Sequence, residues 1–287
     1  MALAALSGDE QLVIFSRLCN PHGPGVAVAF GSASSELWTL TKAPRQQLQA
    51  DHKAAAALGR KAGKRSCKEL RAAKRVDWSH RGLSSDDLGL LGTLGSVLPA
   101  LEELRLNEPA AGPDGVQRLA EKLGAGALPA VVVLQLMSTH VSEAGASVLA
   151  AALGRGALPR LEHLYLARTA IGDAGLVALA PALRRLPALV VLSLSENPFG
   201  DEGLAAVVAP AAAAGAPPPP TGVLTKLKEL YLGRTRITDA GCAAFAAVLE
   251  SGTLPALKRL YLGGIPASGS AKSAVYAARA GLHDRVW

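Results

Sequence analysis

Aromatic residues are few: they make up 4% of the 287 residues. A core here has to be assembled from leucine, valine and alanine, with helices that pack closely. Cysteine is scarcer still. Cys19, Cys67 and Cys242 are widely spaced and odd in number, and no C-x-x-C pair occurs, so neither a disulfide framework nor a cysteine-held zinc site is indicated. The six histidines, among them His163, form no H-x-x-x-H or H-E-x-x-H pair. There is no G-x-S-x-G elbow. Gly59-Arg-Lys-Ala-Gly63-Lys64-Arg65 falls one residue short of phosphate-loop spacing and has Arg where that loop needs Ser or Thr. The expectation is a chain without catalytic residues, metal or cofactor.

Long apolar runs are also missing. Leu204 to Ala214 is interrupted by Pro210 and is too short to span a bilayer. No N-x-[ST] sequon occurs, and the first residues reach Asp9 and Glu10 without a basic region, unlike a secretory signal. An intracellular protein, cytoplasmic or nuclear and without a membrane partner, is expected.

The net charge is +7, with a pI near 9.5. The excess is uneven: residues 1–72 hold about ten Lys and Arg against five Asp and Glu, whereas the remainder is nearly balanced. Arg60, Lys64, Lys68, Arg71 and Arg75 would share a face if 60–75 were one helix. No aromatics are interleaved for base stacking, so a solvated face is expected there, and no nucleic acid.

What is abundant is leucine at fixed spacing. Leu158-Pro-Arg-Leu161-Glu-His-Leu164-Tyr-Leu166 is one of seven copies of a frame led by Leu70, Leu98, Leu128, Leu158, Leu186, Leu224 and Leu254. The steps between leads are 28, 30, 30, 28, 38 and 30. A self-similar period in this range signals a repeat architecture. Within a copy, apolar–polar–apolar alternation such as Leu164-Tyr165-Leu166 reads as a short strand. A helical period follows, opening on Gly115, Gly145, Gly175, Gly203 or Gly241, where close backbone packing suits glycine. Pro181 inside one such helix is expected to bend or shorten it. One strand and one helix cannot bury both apolar faces alone, but stacked units can. The step of 38 places a proline-rich insertion, 210–222, between a helix and the next strand, as a surface excursion. Ser268 to Leu282 reads as a closing helix, with Ala274, Val275, Ala278 and Leu282 inward and Lys272 and Arg279 outward.

Leu-x-x-Leu-x-Leu followed by a helix of three to four turns resembles the ribonuclease-inhibitor-like class of leucine-rich repeats, over roughly residues 70–282. The resemblance implies an α/β fold: a curved solenoid with parallel strands inside and helices outside. The position usually held by asparagine after the strand carries Arg81, Pro109, Thr139, Thr169, Asn197 and Thr235, so a continuous asparagine ladder is absent.

Ahead of the repeats, residues 7–19 read as a helix opened by a Ser7–Glu10 capping box and burying Leu12, Phe15, Leu18 and Cys19. Val26 to Leu40 reads as a second helix anchored by Val26, Phe30, Leu37 and Trp38, and 42–60 as a third. The expected division is a helical cap over 1–60 and the solenoid over 61–287. Leu6, Asp9, Ile14, Phe15 and Leu18, with Ser34 and Trp38, resemble an F-box, although Leu6-Ser7 replaces its Leu-Pro opening. That resemblance implies docking on a Skp-type cullin adaptor through Ile14, Phe15, Leu18 and Trp38. The other reading is a helical cap with no partner.

Side chains between the inward leucines project onto the concave face. One column reads Asp77, Arg105, Gln135, Tyr165, Ser193, Tyr231 and Tyr261. The next carries His163, Glu229 and Arg259, and past the strands stand Glu108, Arg168, Glu196 and Arg234. Tyrosine and arginine are enriched at binding hot spots, so the leading expectation is a monomeric, non-enzymatic scaffold that binds a protein on this face. The alternatives are an F-box-type substrate receptor of a cullin ubiquitin ligase and, by analogy of fold, a Ran-type GTPase-activating horseshoe.

Overall fold

A computed structural model describes residues 7–21, 23–208 and 224–284. Strands form where the leucine frame alternates: β1 Arg75–Asp77, β2 Glu103–Arg105, β3 Val133–Gln135, β4 His163–Tyr165, β5 Val191–Ser193, β6 Glu229–Tyr231 and β7 Arg259–Tyr261. They pair in sequence order, all parallel, with equivalent frame positions opposite one another. The register survives the long step: Leu192 on β5 faces Leu230 on β6. A short eighth strand, β8 (His283–Asp284), adds to β7.

Each strand is followed by a helix: α6 Ser85–Leu94, α7 Asp114–Lys122, α8 Ser142–Gly154, α9 Asp173–Arg185, α10 Asp201–Val208, α11 Asp239–Glu250 and α12 Gly269–Ala277. Between the layers runs one hydrophobic cluster that extends from Ala55 to Leu282. All the lead leucines are buried in it except Leu186, which is only partly covered. Strands stack about 4.8 Å apart and helices need about 8–10 Å, so the coil bends with its strands on the inner side.

Four helices precede this stack among the described residues: α1 Gly8–Leu18, α2 Gly25–Gly31, α3 Ser35–Leu40 and α4 Lys42–Lys61, with the short α5 Cys67–Ala72 leading into β1. Phe15, Ala27 and Leu48 form a small cluster of their own. The far half of α4 joins the main core through Ala55 and Leu58. Trp78 replaces leucine in the first repeat, and its buried indole N–H donates to the Leu58 carbonyl at 3.0 Å. A buried indole needs such a partner, and the bond fastens α4 across the open end of the coil.

Several expectations change. Val26 to Leu40 is two helices, because Ser34 leaves the helical region and its hydroxyl accepts from the Leu37 N–H, capping α3. Val26 and Trp38 are not anchors there; they are 63% and 52% exposed. The basic run 60–75 is not one helix, since Gly63 adopts φ +71 and separates α4 from α5. Pro181 lies on the exposed side of α9, which continues past it to Arg185. The closing helix ends at Ala277, and Ala274 is exposed. Arg279 does not point outward: its guanidinium donates to the carbonyls of Leu249, Thr253 and Leu254, where α11 ends. A cation there satisfies carbonyls that the helix leaves free. Leu6, the side chain of Glu10, the insertion 210–222 and Trp287 lie outside the described residues.

Candidate concave binding face

Strand geometry sends the residues flanking each buried leucine outward, and matched register turns them into rows about 4.8 Å apart. One row runs Arg75, Glu103, Val133, His163, Val191, Glu229 and Arg259; its neighbour runs Asp77, Arg105, Gln135, Tyr165, Ser193, Tyr231 and Tyr261. The sequence-predicted strand residues are therefore brought together on one surface. Ser193 is an exception in character. It is buried, in the row position between Tyr165 and Tyr231, so it is floor and not a free contact.

The charges on this face hold one another. Glu103 takes Arg105 at 2.6 Å and Arg75 at 3.3 Å. Glu229 pairs with Arg259 of the next strand and accepts the Tyr231 hydroxyl at 2.6 Å. The rings of His163 and Tyr165 stack, with centroids 6.5 Å apart and planes inclined by 24°. Burial pushes the Tyr165 hydroxyl above its ordinary pKa, and the charges of Glu229 and Glu103 add to the effect against Arg105. The Tyr261 ring lies over the backbone of Gly233 and Gly263; a Cβ at Gly233 would stand 2.6 Å from its Cδ1.

Just past the strands, Arg168, Glu196 and Arg234 adopt φ of 58, 58 and 55. Left-handed backbone is unusual for such residues, and here it carries successive side chains out along the rim. Glu196 joins its neighbours, 2.7 Å from Arg168 and 3.6 Å from Arg234. Glu108 does not belong to this rim. It is 2% exposed, and its carboxylate accepts from the N–H groups of Gly82, Leu83 and Ala110.

Glu108 instead opens a buried polar ladder, in which threonines and a single asparagine stand where a continuous asparagine ladder would run. Thr139 Oγ1 accepts the Glu108 N–H, and Thr169 and Thr235 donate to carbonyls of their own turns. Asn197 Oδ1 accepts from the N–H groups of Thr169 and Ile171, while its Nδ2 donates to the carbonyls of Leu166, Leu194 and Ser195. A carboxylate one residue early in the frame was the overlooked signal.

On the N-terminal helices, the residues read as adaptor contacts separate. Phe15 is buried in the small cluster, Ile14 and Leu18 are half-buried, and Trp38 is exposed with the Arg45 guanidinium 3.3 Å from its ring centroid. Among the described residues, no group of three or more His, Cys, Asp or Glu is placed to hold a metal ion. No helix among them is long and apolar enough to cross a membrane.

Three segments, 158–180, 186–208 and 223–246, match the family model described as Leucine Rich repeat. The chain carries leucine-rich repeats. The matched segments span the units of β4, β5 and β6, and the same strand–helix unit continues on either side of them. No curated protein matches the chain. Among solved structures, leiomodin-1 actin-binding site 2 is similar at 15% identity and TM-score 0.36, over 45% of this chain and 73% of that one. A structure of the Rad7 and Elc1 complex in yeast gives 13% identity and TM-score 0.36, over 88% and 98%. An internalin from Listeria monocytogenes gives 12% and 0.23, over 82% and 93%. Superposition this loose sets no constraint on what the leucine-rich repeats of this chain bind.

Proposed function

We propose that this chain is a non-enzymatic scaffold of the ribonuclease-inhibitor-like class that takes a protein partner on its concave face. The observation that carries the proposal is the row Tyr165, Tyr231 and Tyr261, half-buried among arginines that carboxylates of the same or the neighbouring repeat already hold in place. Rigid amphipathic rings and preorganised guanidiniums lose little freedom on binding. Arg105, Gln135, His163, Arg168, Glu229, Arg234 and Arg259 complete the surface. A monomer acting inside the cell fits the free thiols of Cys19, Cys67 and Cys242. Affinity capture with the full chain, followed by alanine at Tyr165, Tyr231 and Tyr261 together, tests the proposal. The captured partner is expected to be lost; undiminished capture moves the site off this face.

A second reading keeps the scaffold and makes residues 6–50 a docking surface for a Skp-type adaptor. It is supported by Val13, Val26 and Trp38, which expose large apolar surface on α1, α2 and α3. Phe15 is a core residue, so Trp38→Ala is the informative variant. Failure of the wild type to bind the adaptor, or equal binding by Trp38→Ala, removes the reading. A GTPase-activating role draws support from no feature of the face.

A further inference from the structure

The proposed concave face is not uniform along its length. Around β1 and β2, Lys74, Arg75 and Arg105 meet Asp77, Glu102 and Glu103, with Lys74 and Glu102 paired at 3.0 Å. Charge there is balanced. Around β6 and β7 it is not. Lys226 and Lys228 precede β6, Lys258 precedes β7, Arg259 lies on β7, and Arg234 and Arg236 follow β6; all six are exposed. Among the described residues, the carboxylates that meet these cations are Glu229, held by Arg259 and the Tyr231 hydroxyl, and Glu196 of the preceding turn, 3.6 Å from Arg234. Of the remaining acids in 224–284, Asp239 and Glu250 sit at opposite ends of α11 in the helix layer, Asp239 bonded to Ser268, and Asp284 lies on β8 opposite Leu260. Sequence composition concealed this, because acids in the other repeats bring 73–287 as a whole close to balance.

Resting on the reading that this face binds protein, we propose that the partner segment is acidic, lies extended across repeats six and seven, and seats apolar side chains on Tyr231 and Tyr261. Lys226, Lys228, Lys258 and Arg259 line the edge where the chain enters the two strands, Arg234 and Arg236 follow β6, and the tyrosines lie between. Lys226, Lys228, Lys258 and Arg236 pair with no carboxylate among the described residues. Cations separated by no more than about a Debye length of roughly 8 Å repel one another, and incoming carboxylates remove that repulsion while steering the encounter. The Glu229 carboxylate lies within the strip and opposes a continuous chain of phosphates, which favours a peptide over a nucleic acid.

The test is fluorescence anisotropy on the full chain with three labelled probes: a peptide alternating glutamate and leucine, its lysine–leucine counterpart, and single-stranded oligothymidylate. Photo-crosslinking maps where each sits. The glutamate peptide is expected to bind best, to crosslink to Tyr231 or Tyr261, and to weaken by about tenfold in Lys228→Glu/Lys258→Glu and in Arg236→Glu. Arg118→Gln, on the helix layer, should leave binding unchanged, and circular dichroism checks that each variant is folded. No saturable binding of the glutamate peptide, or equal affinity in the reversed variants, overturns the inference, and tighter oligothymidylate binding overturns it in favour of nucleic acid. Preferential crosslinking of the lysine peptide to the tyrosines overturns it while leaving the protein-binding face intact. Crosslinks confined to the helix layer overturn both.

Discussion

Replacing Asn197 with alanine should destabilise the coil more than any other single polar truncation in its turns. The side chain is 2% exposed and, among the described residues, is the acceptor for the N–H groups of Thr169 and Ile171, at 3.0 and 3.1 Å. Its amide also donates to the Leu166 carbonyl at 2.7 Å. Alanine leaves two buried donors without an acceptor at the junction between repeats four and five. Each orphaned group costs about 1–3 kcal/mol, so a loss of about 2–6 kcal/mol is expected. Asn197→Thr should recover part of it, since Thr169 and Thr235 bond the carbonyl three residues back from the same frame position at 2.8 Å. Urea denaturation followed by far-ultraviolet circular dichroism measures the change. Each repeat touches mainly its neighbours, so the alanine variant is also expected to unfold in two steps. Hydrogen exchange should quicken first at Thr169 and Ile171. A loss below about 1 kcal/mol, with those two amides still protected, would refute the reasoning that the ladder bears on stability.

Two glycines one turn apart in α6 should respond oppositely. A Cβ at Gly89 meets only the Arg118 Cβ at 3.5 Å, so Gly89→Ala should stabilise by about 0.5–1 kcal/mol. At Gly92 the added methyl runs into the Leu119 carbonyl oxygen of α7, so Gly92→Ala should cost about 1–3 kcal/mol or more; thermal melts separate the two. Burial alone would raise the Asp87 pKa, but Lys61 at 2.7 Å and the Ser84 N–H and hydroxyl outweigh it, and the carboxyl is held below its usual range. Its contribution is therefore complete above the unfolded value of about 3.9 and lost as pH falls through the lower folded value. Asp87→Asn should be less stable than the parent near neutrality and match it in strong acid, as pH-dependent urea midpoints will show. Arg279→Met should cost about 1.5–3 kcal/mol by freeing the carbonyls at the end of α11, read as faster exchange confined to repeats six and seven.

The strands were legible because their signal is redundant. Seven copies vote on one register, and each of β1 to β7 falls at the same frame position. The cap was less legible because it happens once. Nothing in Val26 to Leu40 repeats elsewhere to expose the break that the Ser34 cap makes. The same holds at the far end, where Arg279 is drawn inward by three carbonyls, of Leu249, Thr253 and Leu254, that come together only where the folded α11 ends. The tyrosine column could be read from spacing alone. The pairing of its charges could not, since Arg168, Glu196 and Arg234 lie 28 and 38 residues apart and meet only through the stack.

The in-register docking of Leu192 on Leu230 across the longest step has a practical reading. Repeats five and six meet through the matched surfaces of β5 with β6 and of α10 with α11. A proteolytic nick, a circularly permuted terminus or a grafted reporter domain within 209–223 would leave both mating surfaces whole. The two pieces would be expected to find each other again as a split protein.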